Sequence, residues 1–447
     1  MTRPLEDLTA ALLDAALRAG AGAGDALAVE GTSLSIDIRQ GRLEEAQRAE
    51  GIDLGLRVLI GGRQACVSSS DISDRTIQAM AERAVAMARE APDDPYAGLA
   101  DPGQITQGWD IEGLDLADPS PEPTPAALEA AARAAEAAAM AVTGIVQVEA
   151  GAGQSHRRMH LAATNGFAGG YARTSHSLSA VAFVGSGTGM ERDWSAEGRI
   201  FAADMPGATG IGRLAAERAL SRLGARKPPT GAYPVLYDER VASSLIGHLL
   251  SAVNGSAIAR GAPWLRDAMG QQVLPAGLSV IDDPLRPRAS SSRPFDAEGL
   301  ATAARAIVLD GVLTGWTLDL ASARKLGLAS TASAGRGPSA PPSPGTSNID
   351  LTQGTATRAD LIADMGTGLL VTSLIGSTVN PTTGDYSRGA SGFWVERGEI
   401  TYPVNECTIA GNLRDMLMTL TPANDARTHL STRVPSLLVQ GLTIAGA

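Results

Sequence analysis

Apolar residues at the start of the chain recur every three or four positions. Leu5, Leu8 and Leu12 share one helical face, which predicts an amphipathic helix over residues 5–19. From Leu34 onwards the apolar period changes to two, as in half-buried strands. Such strands are expected at residues 34–38, 52–60 and 65–67. The pattern therefore predicts an antiparallel meander covered by helices.

The rest of the N-terminal half alternates between helix and strand patterns. An apolar stripe over residues 77–88 predicts a second helix, and the alanine-rich stretch 126–142 predicts a third. Between them, prolines recur through residues 92–125, so we expect a long surface connector there. The pair Asn165-Gly166 is typical of a tight hairpin turn. Strands are expected before it, at residues 145–148 and 156–161.

A hinge sequence over residues 227–231 separates two domains. Residues 1–226 are predicted to form an α/β domain in which helices flank an antiparallel sheet. Residues 231–447 are predicted to form a β-rich domain, with one helix capped by Asp238. The Gly/Ser/Pro-rich stretch 329–347 is expected to be mobile, because it holds little apolar surface to bury. The predicted fold class is α+β.

The composition limits the cellular compartments and the kinds of binding partner that are expected for this chain. The 447 residues carry 37 Lys and Arg against 48 Asp and Glu, a net charge of −11, so nucleic acid is not an expected partner. Two cysteines, Cys66 and Cys407, are too few for a disulfide framework. The N-terminus lacks the pattern of a signal peptide, and no apolar run is long enough to span a bilayer. We therefore expect a cytoplasmic protein with no membrane partner.

Histidines are the first candidates for metal chemistry. His156 and His160 would share a helical face, but on the predicted strand they lie about 13 Å apart, too far for one ion. Arg157 also stands where a zinc-peptidase helix carries its general-base glutamate. His248 falls on the apolar face of the helix that follows Asp238. The default interpretation is a surface or groove position for His156 and His160, and a packed core or interface histidine for His248.

The segment 372–415 is rich in turn residues and glycine. Its part over residues 380–392 predicts a loop that can present polar groups to a peptide. The candidate substrate-binding residues are Asn380, Asp385, Tyr386, Arg388 and Gly389. A glycine-rich connection between two strands accounts for the same pattern equally well, so both interpretations stay open.

Other short motifs occur along the chain in a characteristic order. They are Tyr233-Pro234-Val235, Met269-Gly270-Gln271-Gln272-Val273, Asn348-Ile349, Pro435-Ser436-Leu437 and Leu442-Thr443-Ile444-Ala445-Gly446. Together with the segment 372–415, they resemble the TldD/TldE metallopeptidase family, also called PmbA or modulator of DNA gyrase. The resemblance spans nearly the whole chain and is greater to the TldE/PmbA branch.

This resemblance implies two domains that form a dimer around a peptide-cleaving chamber. In the TldD branch a helix carries HExxxH, with two zinc-binding histidines and a glutamate that activates water. Alignment through His248 places Ser243 and Ser244 at the positions of the first histidine and the glutamate. A hydrolytic zinc needs about three protein ligands and a base. No catalytic residue and no metal site is therefore expected in this chain, and Cys407 is not equated with the TldD branch's metal-binding cysteine.

The leading hypothesis is a TldE/PmbA-like subunit without its own zinc, which pairs with a TldD-type zinc subunit. The heterodimer would be a metallopeptidase that degrades unfolded peptides or removes leader peptides, and the substrate would add as a strand to a sheet edge. The alternative is a non-proteolytic homodimer that binds peptides. A third hypothesis, a stand-alone hydrolase, requires His156, His160 or His248 to hold a metal.

Overall fold

The computed structural model describes residues 3–446, apart from the side chain of Ser377. Its N-terminal part is built on a six-stranded antiparallel sheet. The strands are β1 (Ala23–Arg39), β2 (Arg42–Ile60), β3 (Arg63–Ser69), β4 (Ile145–Ala163), β5 (Ala168–Val184) and β6 (Glu191–Arg199). Their order is β3-β2-β1-β4-β5-β6, which confirms the predicted antiparallel sheet.

Helices cover one face of this sheet. They are α1 (Leu5–Arg18), α2 (Asp74–Glu90), α4 (Pro125–Met140) and α5 (Ala208–Leu220), while the short α3 (Ile111–Leu114) lies in the proline-rich connector. Ala28 of β1 lies in the core formed with α1 and α2, and Ile36 lies in the core formed with α4 and α5. Because alternate strand residues point the same way, the odd-numbered positions of β1 face away from these helices.

Strand β4 joins two segments that the sequence pattern separates. Residues 149–155 lack an apolar run, yet each pairs with β1 and β5, so the strand is continuous. The hairpin predicted at Asn165-Gly166 is confirmed. Gly166 adopts a φ of +98°, and the amide of Ala163 donates to the carbonyl of Phe167 at 2.9 Å.

The C-terminal part contains a sheet that closes on itself. The C-terminal strands are β7 (Gly231–Tyr237), β8 (Val280–Asp282), β9 (Arg305–Leu309), β10 (Val312–Leu313), β11 (Ala334–Gly335), β12 (Ser343–Pro344), β13 (Ile349–Leu351), β14 (Gly368–Val379), β15 (Asp385–Glu396), β16 (Glu399–Asn412), β17 (Thr421–Pro422), β18 (Thr432–Arg433) and β19 (Leu437–Ala445). Six of them follow the order β16-β15-β14-β7-β19-β17, and β16 also pairs with β19, which closes a barrel. The predicted β-rich character of the C-terminal region is confirmed.

Five helices accompany these strands. They are α6 (Glu239–Ala252), α7 (Gly255–Ala259), α8 (Leu320–Leu326), α9 (Arg358–Met365) and α10 (Leu413–Met418). Helix α6 follows β7 directly and packs its apolar side chains into the core of the barrel. Over residues 3–446, no helix has the length and apolar character needed to cross a membrane.

The loop predicted over residues 380–392 is a loop only in its first part. Asn380 to Gly384 form the turn, and β15 begins at Asp385. The prediction was wrong beyond the turn because the later glycines serve strand packing instead. A Cβ added at Gly392 would lie only 1.9 Å from the carbonyl oxygen of Leu370 on β14.

Residues 329–347, which we call the strap, contain β11 and β12 and reach the N-terminal sheet. The side chain of Arg336 forms an ion pair with Asp25 on β1. Pro338 packs on Gly55 of β2, where an added Cβ would lie 2.3 Å from the Pro338 carbonyl oxygen. Composition alone did not indicate these contacts, because the groups that bind the strap lie far away in the sequence.

Candidate functional site

Helix α6 carries Ser243, Ser244 and His248, which the family resemblance predicts to occupy the positions of the TldD branch's zinc-binding motif. Asp238 caps the helix, and its side chain accepts a hydrogen bond from the backbone amide of Arg240 at 3.3 Å. The apolar side chains of α6 are buried in the barrel core, which fixes the rotation of the helix. In this orientation Ser243, Ser244 and His248 are all half-buried.

Ser244 and His248 both contact neighbouring protein groups, but within residues 3–446 only the Ser244 hydroxyl is hydrogen-bonded. The hydroxyl of Ser244 donates to the carbonyl of Val241 at 2.7 Å, one turn back in the same helix. The His248 ring lies edge-on to Tyr386, with 5.8 Å between ring centroids. Behind it, the hydroxyl of Tyr237 donates to that of Tyr386 at 3.4 Å. His248 Nε2 is buried and has no hydrogen-bond partner in the described part of the chain.

Electrostatics keep this cluster uncharged at neutral pH. Burial lowers the pKa of His248, and the positive charge of Arg388 lowers it further. Burial raises the pKa of Tyr386 above its usual value. Burial, followed by the effect of Tyr386, raises the pKa of Tyr237 well above 10. The three rings therefore form a neutral, mostly apolar cluster.

The predicted substrate-binding residues divide into two groups. Tyr386 and Arg388 lie near His248, but Tyr386 is buried, whereas Arg388 is half-buried and its Nε donates to a carbonyl of β14 at 2.7 Å. Asn380 and Asp385 are exposed at the β14–β15 turn, where the pKa of Asp385 is lowered by hydrogen bonds from neighbouring side chains. Gly389 is half-buried within β15, one residue beyond Arg388.

Sequence reasoning missed the ionic network that fixes the start of α6. Arg240 donates through Nε to Asp238 at 2.9 Å and through Nη1 to Asp193 of β6 at 3.0 Å. Arg222 also approaches Asp193, and its Nη2 donates to the hydroxyl of Ser391 at 2.7 Å. The network joins α6 to the N-terminal sheet. No local pattern reveals it, because its members come from distant parts of the sequence.

Family models match the chain in sequence order. The model of PmbA/TldA metallopeptidase domain 1 matches residues 24–88, the central-domain model matches 114–223, and the C-terminal-domain model matches 230–446. The chain belongs to the PmbA/TldD metallopeptidase family. It is 37% identical to the metalloprotease PmbA of Escherichia coli O157:H7, over 99% of this chain and 96% of that protein. A metalloprotease PmbA homolog of Haemophilus influenzae is 33% identical, over 97% and 94% of the two chains.

Solved structures have the fold of this PmbA/TldD-family chain. A protein described as a modulator of DNA gyrase, from Bacteroides thetaiotaomicron, superimposes with a TM-score of 0.91 at 29% identity and covers 99% of both chains. TldE from Thermococcus kodakarensis superimposes with a TM-score of 0.84 at 18% identity, over 97% of this chain and 99% of that one. The second likeness concerns the fold alone.

The family description implies a metal ion, and the residues of α6 do not fit one. Ser243 and Ser244 offer neutral hydroxyls, and His248 is a single imidazole. Cys407 is buried, its Sγ donates to the carbonyl of Ala390 at 3.2 Å, and burial raises its pKa to about 11, so it is a neutral thiol. Within residues 3–446, no three His, Cys, Asp or Glu residues are grouped to hold an ion.

His156 and His160 lie on β4, as predicted from the hairpin that follows them. His160 Nδ1 lies 2.9 Å from the hydroxyl of Thr9 on α1, which ties its ring to the helix layer. Burial lowers the pKa of His160. This histidine therefore has a structural contact that accounts for its place in the fold.

Substituting His248→Gln should make folding less sensitive to acid. Because the pKa of His248 in the folded chain lies below the unfolded value of about 6.5, the unfolded chain binds this proton first as the pH falls. His248 therefore destabilises the fold below that pH and has no such effect at pH 8. Urea unfolding should show that the free energy of unfolding of the variant, relative to that of the wild type, is higher at pH 5 than at pH 8. An identical difference at both pH values would contradict the expectation.

Proposed function

We propose that this chain is the TldE/PmbA-type subunit of a two-chain metallopeptidase, in which a TldD-type partner supplies the zinc ion. The observation that carries the proposal is the chemistry of α6. Ser243 and Ser244 stand at the positions of a metal ligand and a general base, and the Ser244 hydroxyl is bonded within its own helix. Serine hydroxyls at these positions cannot activate water as a zinc-bound site does. Peptide cleavage therefore requires groups from another chain.

The contribution of this subunit would be to hold the peptide, and β14 offers the surface for it. Strand β7 pairs only with Leu369–Val371 of β14, so beyond that point β14 pairs with β15 alone among the described strands. The open edge, over residues 373–379, carries Ile375 with 68% of its surface exposed. An open edge with exposed apolar side chains can accept a further strand through main-chain hydrogen bonds.

This mode of binding suits unfolded peptides and leader peptides. Main-chain hydrogen bonds supply affinity without a demand for particular side chains, so one edge can accept many sequences. Asn380 and Asp385 lie at the tip of the same hairpin, and Arg388 donates to the carbonyl of Gly376 within it. The hairpin would therefore form the wall along which the substrate extends.

Mixing the chain with a TldD-type partner tests the pairing. We expect a heterodimer that cleaves an unfolded peptide, and we expect His248→Ala in this chain to leave both the cleavage rate and the zinc content unchanged. Loss of zinc from the complex on this substitution would overturn the proposal. A stable homodimer that binds peptide and ignores the partner would instead support the non-proteolytic alternative.

Ile375→Ser tests the peptide edge in the same heterodimer. Burying an isoleucine side chain contributes about 1.5–3 kcal/mol, so removing part of that apolar surface should raise KM for peptide about tenfold. Leu309→Ser is the matched control, because Leu309 is also an exposed apolar residue, 54% exposed, but lies on β9 outside the barrel. Equal effects of the two substitutions on KM would contradict a role for the β14 edge.

A further inference from the structure

The face of the N-terminal sheet opposite its helices contains a groove of about 710 Å³. Its floor consists mainly of the odd-numbered positions of β1 and their neighbours on β2, β4 and β5, and Thr32, Glu50 and His156 also line it. One wall is formed by residues 336–338 of the strap. The volume lies within the range of small-ligand pockets, about 300–1,000 Å³.

One row of residues across this floor has an unusual composition. Arg157 on β4 is directly opposite Arg173 on β5, and the row continues through Gly31 on β1 to Gly51 on β2. Like charges directly opposite each other destabilise a sheet. The space above both glycines is open, since an added Cβ would meet no atom within 4 Å. The row thus places two arginine side chains beside two glycines, whose backbone is not covered by side chains.

The two arginines differ in their existing contacts. Both terminal nitrogens of Arg173 donate to backbone carbonyls, those of Ser290 and Ser292, so its guanidinium is held in place. The Nε of Arg173 is buried and has no hydrogen-bond partner in the described chain. Arg157 is exposed and forms no ion pair within residues 3–446. Arg157 is therefore free to contact an anion in the groove, and Arg173 adds a fixed positive charge beside it.

The next row supplies the opposite charge and an apolar surface. It runs from Asp53 on β2 through Val29 and Met159 to Tyr171 on β5. Asp53 is exposed and, like Arg157, has no ion pair within the described residues. The groove is therefore positive at its β5 side, negative at its β2 side and apolar between them.

We propose that this groove binds a short peptide with free ends. The terminal carboxylate would lie between Arg157 and Arg173, and the terminal ammonium would lie at Asp53. Strands β2 and β5 are three strand spacings apart, or about 14 Å, which an extended peptide of about four or five residues spans. Such peptides are what a metallopeptidase complex releases, so the inference rests on the proposed function and adds a product-sized ligand to it.

Calorimetry on the isolated full-length chain tests the site without a partner or zinc. The probe is a pentapeptide of four alanines and a C-terminal leucine, compared with its C-amidated and N-acetylated forms. Removing one charge-assisted hydrogen bond at an exposed site should raise Kd about tenfold for each blocked end. Equal Kd values for the free and both blocked peptides would overturn the proposal.

Substitutions test which residue binds each end of the peptide. Arg157→Gln should weaken binding of the free peptide about tenfold and reduce the effect of amidation, since Arg173 remains in place. Asp53→Asn should weaken binding about tenfold and abolish the effect of acetylation. Arg158→Gln is the matched control, because Arg158 is the adjacent arginine on the other face of β4 and pairs with Glu30 at 3.3 Å. A weakening of peptide binding by Arg158→Gln equal to that by Arg157→Gln would contradict the site.

Gly31→Val separates binding from folding. The new side chain has open space, so the sheet should be as stable as in the wild type or more stable, while the groove is filled. Peptide binding should then be lost from a folded chain. Unchanged binding by this variant would overturn the groove assignment, whereas failure of the zinc heterodimer to cleave peptide would count only against the proposed function.

Discussion

Asp25→Ala should lower the free energy of unfolding by about 3–5 kcal/mol, because it leaves two buried cations without their shared partner. The side chains of Arg57 and Arg336 are 4% and 2% exposed, and both bind the Asp25 carboxylate. Arg336 belongs to the strap, so the same change should release the strap from the N-terminal sheet. Urea unfolding measures the first effect, and proteolysis within residues 329–347 measures the second.

Two comparisons make this prediction specific. Asp267→Ala removes a carboxylate 83% exposed in an ion pair with Arg266 and should cost about 0–1 kcal/mol. Arg336→Met should cost less than Asp25→Ala, since Asp25 keeps Arg57 as its partner. The prediction that Asp25 holds the strap on the N-terminal sheet would be contradicted if Asp25→Ala and Asp267→Ala lowered the free energy of unfolding equally and proteolysis of the strap did not change.

Arg240→Ala should also lower the free energy of unfolding, by about 1.5–3 kcal/mol, because hydrogen bonds between charged groups are lost. Arg240 bridges Asp193 and Asp238, and all three side chains are at most 7% exposed. Its loss removes the bridge between β6 and the cap of α6, while Asp193 keeps Arg222 and Asp238 keeps Arg358 as ion-pair partners. Hydrogen exchange should therefore speed up in the first turns of α6, in addition to the drop in stability seen by urea unfolding.

The control for this change is Arg266→Ala, in which a 57% exposed guanidinium loses a surface partner. We expect a cost of about 0–1 kcal/mol and unchanged exchange in α6. Slow exchange in α6 of the Arg240→Ala variant, equal to that of the wild type, would show that the network does not hold the helix in place.

Sequence patterns predicted the elements that are determined by residues close together in the sequence. Helix α1 was expected at residues 5–19 and spans Leu5–Arg18, and the helix capped by Asp238 is α6. In both, an apolar stripe or a capping side chain marks the element within a few residues of its end. The hairpin at Asn165-Gly166 was equally visible, because only a few residues determine a tight turn.

Long-range contacts account for what sequence patterns missed. Glycines in β15 suggested a loop, but they allow close packing against β14. The strap looked unstructured because its partner Asp25 lies some 300 residues earlier in the sequence. Burial of Tyr386 beside His248 was likewise hidden, since a tyrosine in a polar segment gives no sign of which face of its strand meets the core. The resemblance to the TldD/TldE family identified the segment 372–415 but did not indicate these contacts.

The metal content of the isolated chain tests most directly whether this subunit lacks a zinc site of its own. The measurement is zinc per chain after purification from zinc-supplemented cells, made on the same sample as a peptide-cleavage assay. We expect no bound zinc above the level of the dialysis buffer, and no cleavage until the TldD-type partner is added. One zinc per chain, or cleavage of peptide by this chain alone, would contradict this expectation.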